Sequence, residues 1–217
     1  LPQGSILSPL LFIIYVNDIV NCSKVIHFIL FADDTNLFFS GNDIHSLIVD
    51  INNNLKLLST WFKANKLSLN LKKTNFIMFG NKVCDMINNA LTIEFDGSPI
   101  EQVFYTKFLG VFIDSKFLWN IHISKMSFTI SRSIGIMRNL YCKLPTTSLF
   151  NLYNTLILPY LTYCNIVWGC AAKTNLEVLL KLQKKAIRIV TKSKYLASTD
   201  QLFHKLNILK IIDIYRM

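Results

Sequence analysis

The chain has 217 residues, with 23 Lys and Arg against 13 Asp and Glu, a formal net charge of +10 and 52% hydrophobic residues. That length supports a sizeable core, and a mean hydropathy of +0.37 implies apolar surface in need of cover, so poor solubility of the isolated chain is expected. The charge calls for a polyanion, for which nucleic acid and an anionic membrane both qualify.

The first element is a helix over Leu10 to Ile19, with Ser8 able to cap it and Pro9 at its favoured first position; Gly4 falls in a mobile segment just ahead. Val25 to Ser40 follows as a β-hairpin whose two apolar runs are broken by Asp33-Asp34. Asp43 then caps a longer helix with an apolar stripe of Ile44, Leu47, Ile48, Ile51, Leu55, Leu58 and Trp61, ended at Asn65. Leu67, Leu69 and Leu71 alternate with polar residues as a strand would, and Phe76 to Phe79 reads as a second strand. Lys82 to Asn89 is polar enough for a loop. Leu91 to Phe95 and the runs flanking Lys107 suggest further antiparallel strands, with a turn at Asp96-Gly97.

From His122 onward helical patterns dominate, and no repeat, low-complexity tract or long linker is visible. Leu156 to Ala172 lacks charge and is about as long as a membrane span, but Pro159 and Asn165 interrupt it, which favours two buried helical pieces joined near the proline. Lys181, Lys184, Lys185, Arg188 and Lys192 recur every three or four residues and predict a helix with one basic face, suited to a phosphate backbone or to plain solvation. Cys22, Cys84, Cys142, Cys164 and Cys170 form no Cys-x-x-Cys pair and have no histidine at zinc-finger spacing. They read as buried thiols of a reducing compartment. With no basic signal-like start, the expected location is intracellular, in nucleus or cytoplasm.

The chemistry is concentrated at Asp33 and Asp34. Neighbouring strand side chains leave on opposite faces, so two adjacent acids reach one site only where the chain turns, and Asp tolerates the positive φ of tight turns. No Lys or Arg lies between Val25 and Ser40 to neutralise them. Oxygen-only ligation suits Mg²⁺ or Mn²⁺ and not zinc, which points to phosphoryl chemistry.

Leu1-Pro2-Gln3-Gly4-Ser5 with Ser8-Pro9, Phe31-Ala32-Asp33-Asp34, Asn70-Leu71-Lys72-Lys73-Thr74 and Lys107-Phe108-Leu109-Gly110-Val111 stand in this order along the chain. This set resembles motifs B, C, D and E of the reverse transcriptases of non-LTR, LINE-like retrotransposons, closest to the jockey and CR1 groups. Leu158-Pro159-Tyr160-Leu161-Thr162-Tyr163, Val167-Trp168-Gly169 and Leu182-Gln183-Lys184-Lys185-Ala186-x-Arg188 are similar to segments that follow the polymerase core there.

The resemblance implies an α+β fold: a partial polymerase palm of antiparallel sheet and packed helices over 1–119, then a helical, thumb-like or connection-like region over 120–217. It implies RNA-directed DNA synthesis with two Mg²⁺ or Mn²⁺ ions, an RNA template, a DNA primer and deoxynucleoside triphosphates, and no membrane. Asp33 and Asp34 become catalytic metal ligands and Lys73 a catalytic cation, with Lys72 its rival. Gln3 and Gly4 take the nucleotide and template, Phe108, Leu109 and Gly110 the primer grip, and Lys181, Lys184, Lys185 and Arg188 the nucleic-acid backbone. Tyr141 and Lys143 are further duplex contacts. The family's motif A aspartate precedes motif B, where these residues open, so the expectation is a polymerase fragment inactive alone. A catalytically inert remnant that only binds nucleic acid is the alternative.

Overall fold

The computed structural model describes residues 4–80 and 92–216. Gln3, Cys84, Leu91 and the expected Lys82 to Asn89 loop lie outside the described residues. The chain forms two compact units, Leu1–Val103 and Phe104–Met217.

In the first unit α1 (Leu7–Val16) leads into a 3-10 turn (Asn17–Cys22), the hairpin β1 (His27–Phe31) and β2 (Asp34–Phe38), and the long α2 (Ile44–Ala64). Asp43 caps α2 as its position predicts: a carboxylate oxygen accepts from the Ser46 amide at 2.8 Å, and this bond holds the carboxyl below the usual range. Ser8 does not cap α1. The helix starts at Leu7, whose N–H is met by the Ser5 hydroxyl at 3.2 Å, and Pro9 sits inside the first turn, where a missing donor is harmless. The apolar stripe of α2 buries Ile48, Leu55 and Leu58 with Ile19, Ile93 and Phe95, and Phe28, Leu30 and Leu37 of the hairpin pack onto this core. By contrast α1 has no buried residue, and Leu10, Ile13 and Ile14 are all more than half exposed. Such bare apolar surface is what the hydropathy predicts.

The rest of the first unit is made of short pieces: β3 (Asn75–Phe76), β4 (Glu94–Phe95), β5 (Ser98–Pro99) and β6 (Glu101–Gln102). The turn at Asp96-Gly97 joins β4 to β5 as expected, with both residues at positive φ. Two strand expectations change. Leu67, Leu69 and Leu71 do point inward in alternation, yet their backbone pairs with no strand and turns at 71–73; alternation of burial needs only an extended chain against a core. Of Phe76 to Phe79 only Phe76 is in a strand, and β3 pairs in parallel with β6, Asn75 facing Glu101. A parallel pair is open to segments separated by a long crossover, as these are. The Asn52 amide closes the β4 edge by donating to the Thr92 carbonyl at 2.9 Å and accepting from the Glu94 amide at 3.0 Å.

The second unit opens with the hairpin β7 (Tyr105–Phe108) and β8 (Val111–Asp114), then α3 (Asn120–Leu140), α4 (Thr146–Leu156), α5 (Leu158–Thr162), α6 (Asn165–Trp168), α7 (Lys173–Val190), α8 (Asp200–Leu206) and α9 (Ile211–Ile214). The Asp114 carboxylate accepts from the amides of Lys116, Leu118 and Trp119 at 3.1, 3.0 and 2.8 Å, folding the strand end into the start of α3. α3 and α7 pack around Ile130, Met137, Leu149, Tyr153, Leu161, Trp168 and Leu179, all essentially inaccessible. The uncharged run over 156–172 resolves into short helices broken at Ile157 and at Tyr163-Cys164, with Pro159 in the first turn of α5. No helix among the described residues is long and apolar enough to cross a membrane. The fold is α+β, its described strands arranged as four two-stranded sheets.

The cysteines depart from expectation. Cys142 and Cys170 are exposed and Cys22 and Cys164 half-buried, all as free thiols, because Cys142 and Cys170 fall in the turns that follow α3 and α6.

Candidate active site and nucleic-acid interface

Asp33 and Asp34 stand at the tip of the β1–β2 hairpin. Phe31 pairs with Asp34, which leaves Ala32-Asp33 as a two-residue loop. The positive φ of this turn, 51°, falls on Ala32 and not on an aspartate, at a position where glycine is the usual occupant. Phe28 with Leu37 and Leu30 with Thr35 share the core side of the ribbon. Phe31 with Asp34 and Ile29 with Asn36 share the other. Asp34 therefore leaves from the face away from the core, beside an exposed Phe31, with Asp33 one residue earlier in the turn; both acids are exposed. The ion pairs found among the described residues, Lys63 with Asp96 and Lys210 with Asp200, involve neither acid.

A divalent cation fits this donor set in kind, since the ligands are exposed carboxylate oxygens that form no ion pair among the described residues. The set is incomplete in number: among the described residues no three His, Cys, Asp or Glu side chains gather where they could hold one ion.

The segment Asn70 to Thr74 owes its spacing to a closed turn. The Asn70 carbonyl accepts from the amides of Lys73 and Thr74 at 3.0 and 3.1 Å and from the Thr74 hydroxyl at 3.0 Å. Asn70, Lys73 and Thr74 are thus bound into one turn that presents Lys72 and Lys73 together to solvent, so the two lysines remain rivals. Gly4 is exposed at φ +86°, and a Cβ there would meet nothing within 4 Å. Its requirement is conformational. Gln3 lies outside the described residues.

Phe108, Leu109 and Gly110 belong to the second unit. Leu109 and Gly110 form the β7–β8 turn, both at positive φ, the signature of a tight hairpin. Residues well downstream secure it. The Tyr163 hydroxyl donates to the Leu109 carbonyl at 2.6 Å, the Trp168 indole N–H donates to the Tyr163 carbonyl at 2.9 Å, and a Cβ on Gly110 would press on the Tyr163 ring at 3.2 Å. Gly169 is fixed by crowding, since a Cβ there would sit 2.5 Å from Tyr215. His122 is 8% exposed; burial lowers its pKa from the ordinary imidazole value, which favours the neutral ring.

The basic helix is α7. Its buried side carries Leu179, Gln183, Ala186, Ile187 and Val190, while Lys181 and Lys185 are exposed and Lys184 and Arg188 half-buried. Arg188 is partly occupied: its Nε donates to the Ala197 carbonyl at 3.1 Å. Lys192, just past the helix, lies over the Tyr141 ring at 5.8 Å, and Lys143 is exposed. Gln183 was not singled out by its sequence position, yet it is wholly buried. Its Nε2 donates to the Tyr153 hydroxyl at 3.0 Å and the Leu209 carbonyl at 2.9 Å, and its Oε1 accepts from the Ile211 amide at 3.0 Å.

Residues 1–113 match the family described as reverse transcriptase (RNA-dependent DNA polymerase). The whole chain is similar to the probable RNA-directed DNA polymerase from transposon BS of Drosophila melanogaster, 28% identical over 95% of this chain and 24% of the relative. It is also similar to the RNA-directed DNA polymerase from mobile element jockey, at 23% identity in Drosophila melanogaster and 27% in Drosophila funebris, over 98% and 99% of this chain and 24% of each relative. The chain spans about a quarter of the length of these relatives. No solved structure matches it. The matched region contains both acids of the hairpin tip and the paired lysines of the Asn70 turn, and the jockey likeness agrees with the motifs read from the residues; the chain belongs to the reverse transcriptase (RNA-dependent DNA polymerase) family.

Proposed function

We propose that this chain supplies the palm, over 1–119, and a helical thumb-like region, over 120–217, of an RNA-directed DNA polymerase that extends a DNA primer on an RNA template. The observation that carries the reading is the exposed Asp33-Asp34 pair on a tight hairpin inside the reverse transcriptase match. Asp33 is the principal ligand for Mg²⁺ or Mn²⁺ and Asp34 the supporting one. Two such ions, when bound, activate the primer 3′ hydroxyl and stabilise the departing pyrophosphate.

The chain's own groups do the rest. Lys73, or Lys72 beside it, offsets triphosphate charge and can protonate the leaving pyrophosphate. Gln3 and Gly4 lie by the incoming nucleotide and template, the Phe108–Gly110 turn steadies the primer, and Lys181, Lys184, Lys185 and Arg188 follow the backbone. Deoxynucleoside triphosphates are the substrates, and the compartment is intracellular. The second reading, a nucleic-acid binder without catalysis, is favoured by the absence of a third carboxylate near the pair among the described residues.

The decisive experiment places Asp33→Asn in a polypeptide that contains these residues and extends a primer on RNA with Mg²⁺. Extension should be abolished while template affinity is kept. Normal turnover by the variant would end the catalytic assignment.

A further inference from the structure

The turn that follows α7 displays two large apolar side chains at its tip. The Ala197 amide donates to the Lys194 carbonyl at 3.0 Å, which closes a tight turn with Tyr195 and Leu196 as its two central residues. Those residues are 73% and 89% exposed. Central turn positions ordinarily carry Gly, Pro, Asn, Asp or Ser, and single scattered hydrophobes are normal on a surface. An adjacent Tyr-Leu pair held at a turn tip is neither, and at this exposure it contributes little burial to the fold.

Both feet of the turn are fastened to α7. The Ser193 amide donates to the Arg188 carbonyl at 3.0 Å, and the Arg188 Nε donates to the Ala197 carbonyl at 3.1 Å. The Tyr141 hydroxyl donates to the Lys192 carbonyl at 3.4 Å, and its ring lies under the Lys192 ammonium. The tip is therefore held at the end of the row Lys181, Lys185 and Arg188, whose spacing of four and three residues puts it on one side of the helix.

Charge restricts what the tip meets. Residues 191–199 contain Lys192 and Lys194 and no Asp or Glu, and the next acid, Asp200, is taken by Lys210 at 2.9 Å. An apolar tip between two cations suits a partner with an apolar interior behind an anionic rim. A nucleic-acid duplex has that construction, stacked bases behind phosphates, and the basic row leads to the tip. An anionic bilayer shares it, but even one acyl chain gives only marginal membrane binding, and two side chains offer less apolar surface than that.

We propose that Tyr195 and Leu196 form a wedge that enters one base step of a bound duplex, Tyr195 against the face of a base and Leu196 between the stacked pairs, with Lys192 and Lys194 on the phosphates to either side. Insertion of apolar side chains in this way unstacks a step and kinks a duplex by roughly 20–90°. The inference rests on the reading of α7 as a backbone contact and goes beyond it: the lysines hold the duplex, whereas the wedge deforms it.

The test uses the whole 217-residue chain and RNA–DNA hybrid duplexes that carry 2-aminopurine at successive positions of the DNA strand and a fluorophore pair at the ends. Binding should brighten 2-aminopurine in at least one of these duplexes and bring the ends together. Tyr195→Ser with Leu196→Ser should remove both signals and leave affinity within about threefold, because phosphate contacts dominate affinity. Tyr195→Phe, which keeps the ring, should keep both. Lys181→Met with Lys185→Met should weaken binding at least about tenfold at low salt, with both signals regained at saturating protein. Unchanged signals in the double Ser variant, or wild-type binding that neither brightens the probe nor shortens the end-to-end distance, would overturn the wedge and leave the backbone reading of α7 standing. Loss of binding to anionic vesicles in the double Ser variant, with the duplex signals intact, would overturn it in favour of a lipid contact. Failure of the chain to bind any duplex would bring down both readings.

Discussion

Replacing Gln183 by Leu should separate folding from nucleic-acid binding within the Leu182 to Arg188 motif. The substitution keeps size and burial but removes both contacts from Nε2 and the one to Oε1. Two of the abandoned partners, the Tyr153 hydroxyl and the Ile211 amide, belong to residues 0% and 1% exposed, so water does not replace the lost amide. The third, the Leu209 carbonyl, belongs to a residue 46% exposed and can rehydrate. At about 1–3 kcal/mol for each buried group left unsatisfied, the loss should total about 2–6 kcal/mol, a large share of the about 5–15 kcal/mol that holds a domain together. Urea unfolding followed by circular dichroism measures it, and hydrogen exchange at the Ile211 amide should show protection lost there first. Gln183→Glu, which keeps an acceptor for Ile211, should retain more of that protection than Gln183→Leu. A destabilisation under about 1 kcal/mol, or unchanged stability with selectively weakened nucleic-acid affinity, would refute the assignment of Gln183 as an internal latch.

Ala32→Gly should stabilise the first hairpin by about 1 kcal/mol, because glycine accepts the φ of 51° without the penalty borne by a Cβ; a lower unfolding midpoint would contradict this. His122 should make stability fall as the pH drops. Its folded pKa is depressed by burial below the unfolded value of 6.5, so the unfolded chain takes the proton first: the contribution is complete above pH 6.5 and is lost as the pH falls toward the folded value. His122→Gln should flatten that slope in pH-dependent urea titrations, and a slope unchanged by the substitution would assign it elsewhere. Mg²⁺ at about ten times its dissociation constant should stabilise the chain by about 1.4 kcal/mol through Asp33 and Asp34, read as a rise in thermal midpoint. The Asp33→Asn, Asp34→Asn double variant should show no rise.

Legibility of the fold followed how local its causes are. α2 could be read because an N-cap at Asp43, a period of 3.6 and a terminator at Asn65 all lie within one stretch. The β4–β5 turn could be read because Asp-Gly names its own geometry. The hairpin tip could be placed but not detailed: its register puts the strained φ on Ala32, which nothing about an alanine announces. Leu67 to Leu71 deceived because inward alternation reports an extended chain, whereas a strand also needs a partner supplied from elsewhere. Gln183 and Tyr163 were hidden for the same reason, since their partners lie 26 to 54 residues away.

That long reach bears on what the downstream motifs do. Tyr163 holds the Leu109 carbonyl, Trp168 holds Tyr163, and Gln183 ties α7 to Tyr153 and to the segment entering α9. Leu161, Tyr163, Trp168 and Gln183 of the tail thus help to shape the second unit, including the turn proposed for the primer. On α7 the exposed side chains include Lys181 and Lys185, with Lys184 half-buried beside them, whereas the preceding segments leave Tyr160, Tyr163 and Val167 about half exposed. The Leu182 to Arg188 segment therefore carries two kinds of residue, Gln183, Ala186 and Ile187 buried to fix geometry and Lys184, Lys185 and Arg188 reaching the surface. Arg188 bridges the categories, since its Nε steadies the Ala197 carbonyl while the remaining guanidinium donors are available to a backbone. Substituting it should lower stability and nucleic-acid affinity together, whereas Lys181 and Lys185 should affect affinity alone and lose their effect as salt rises.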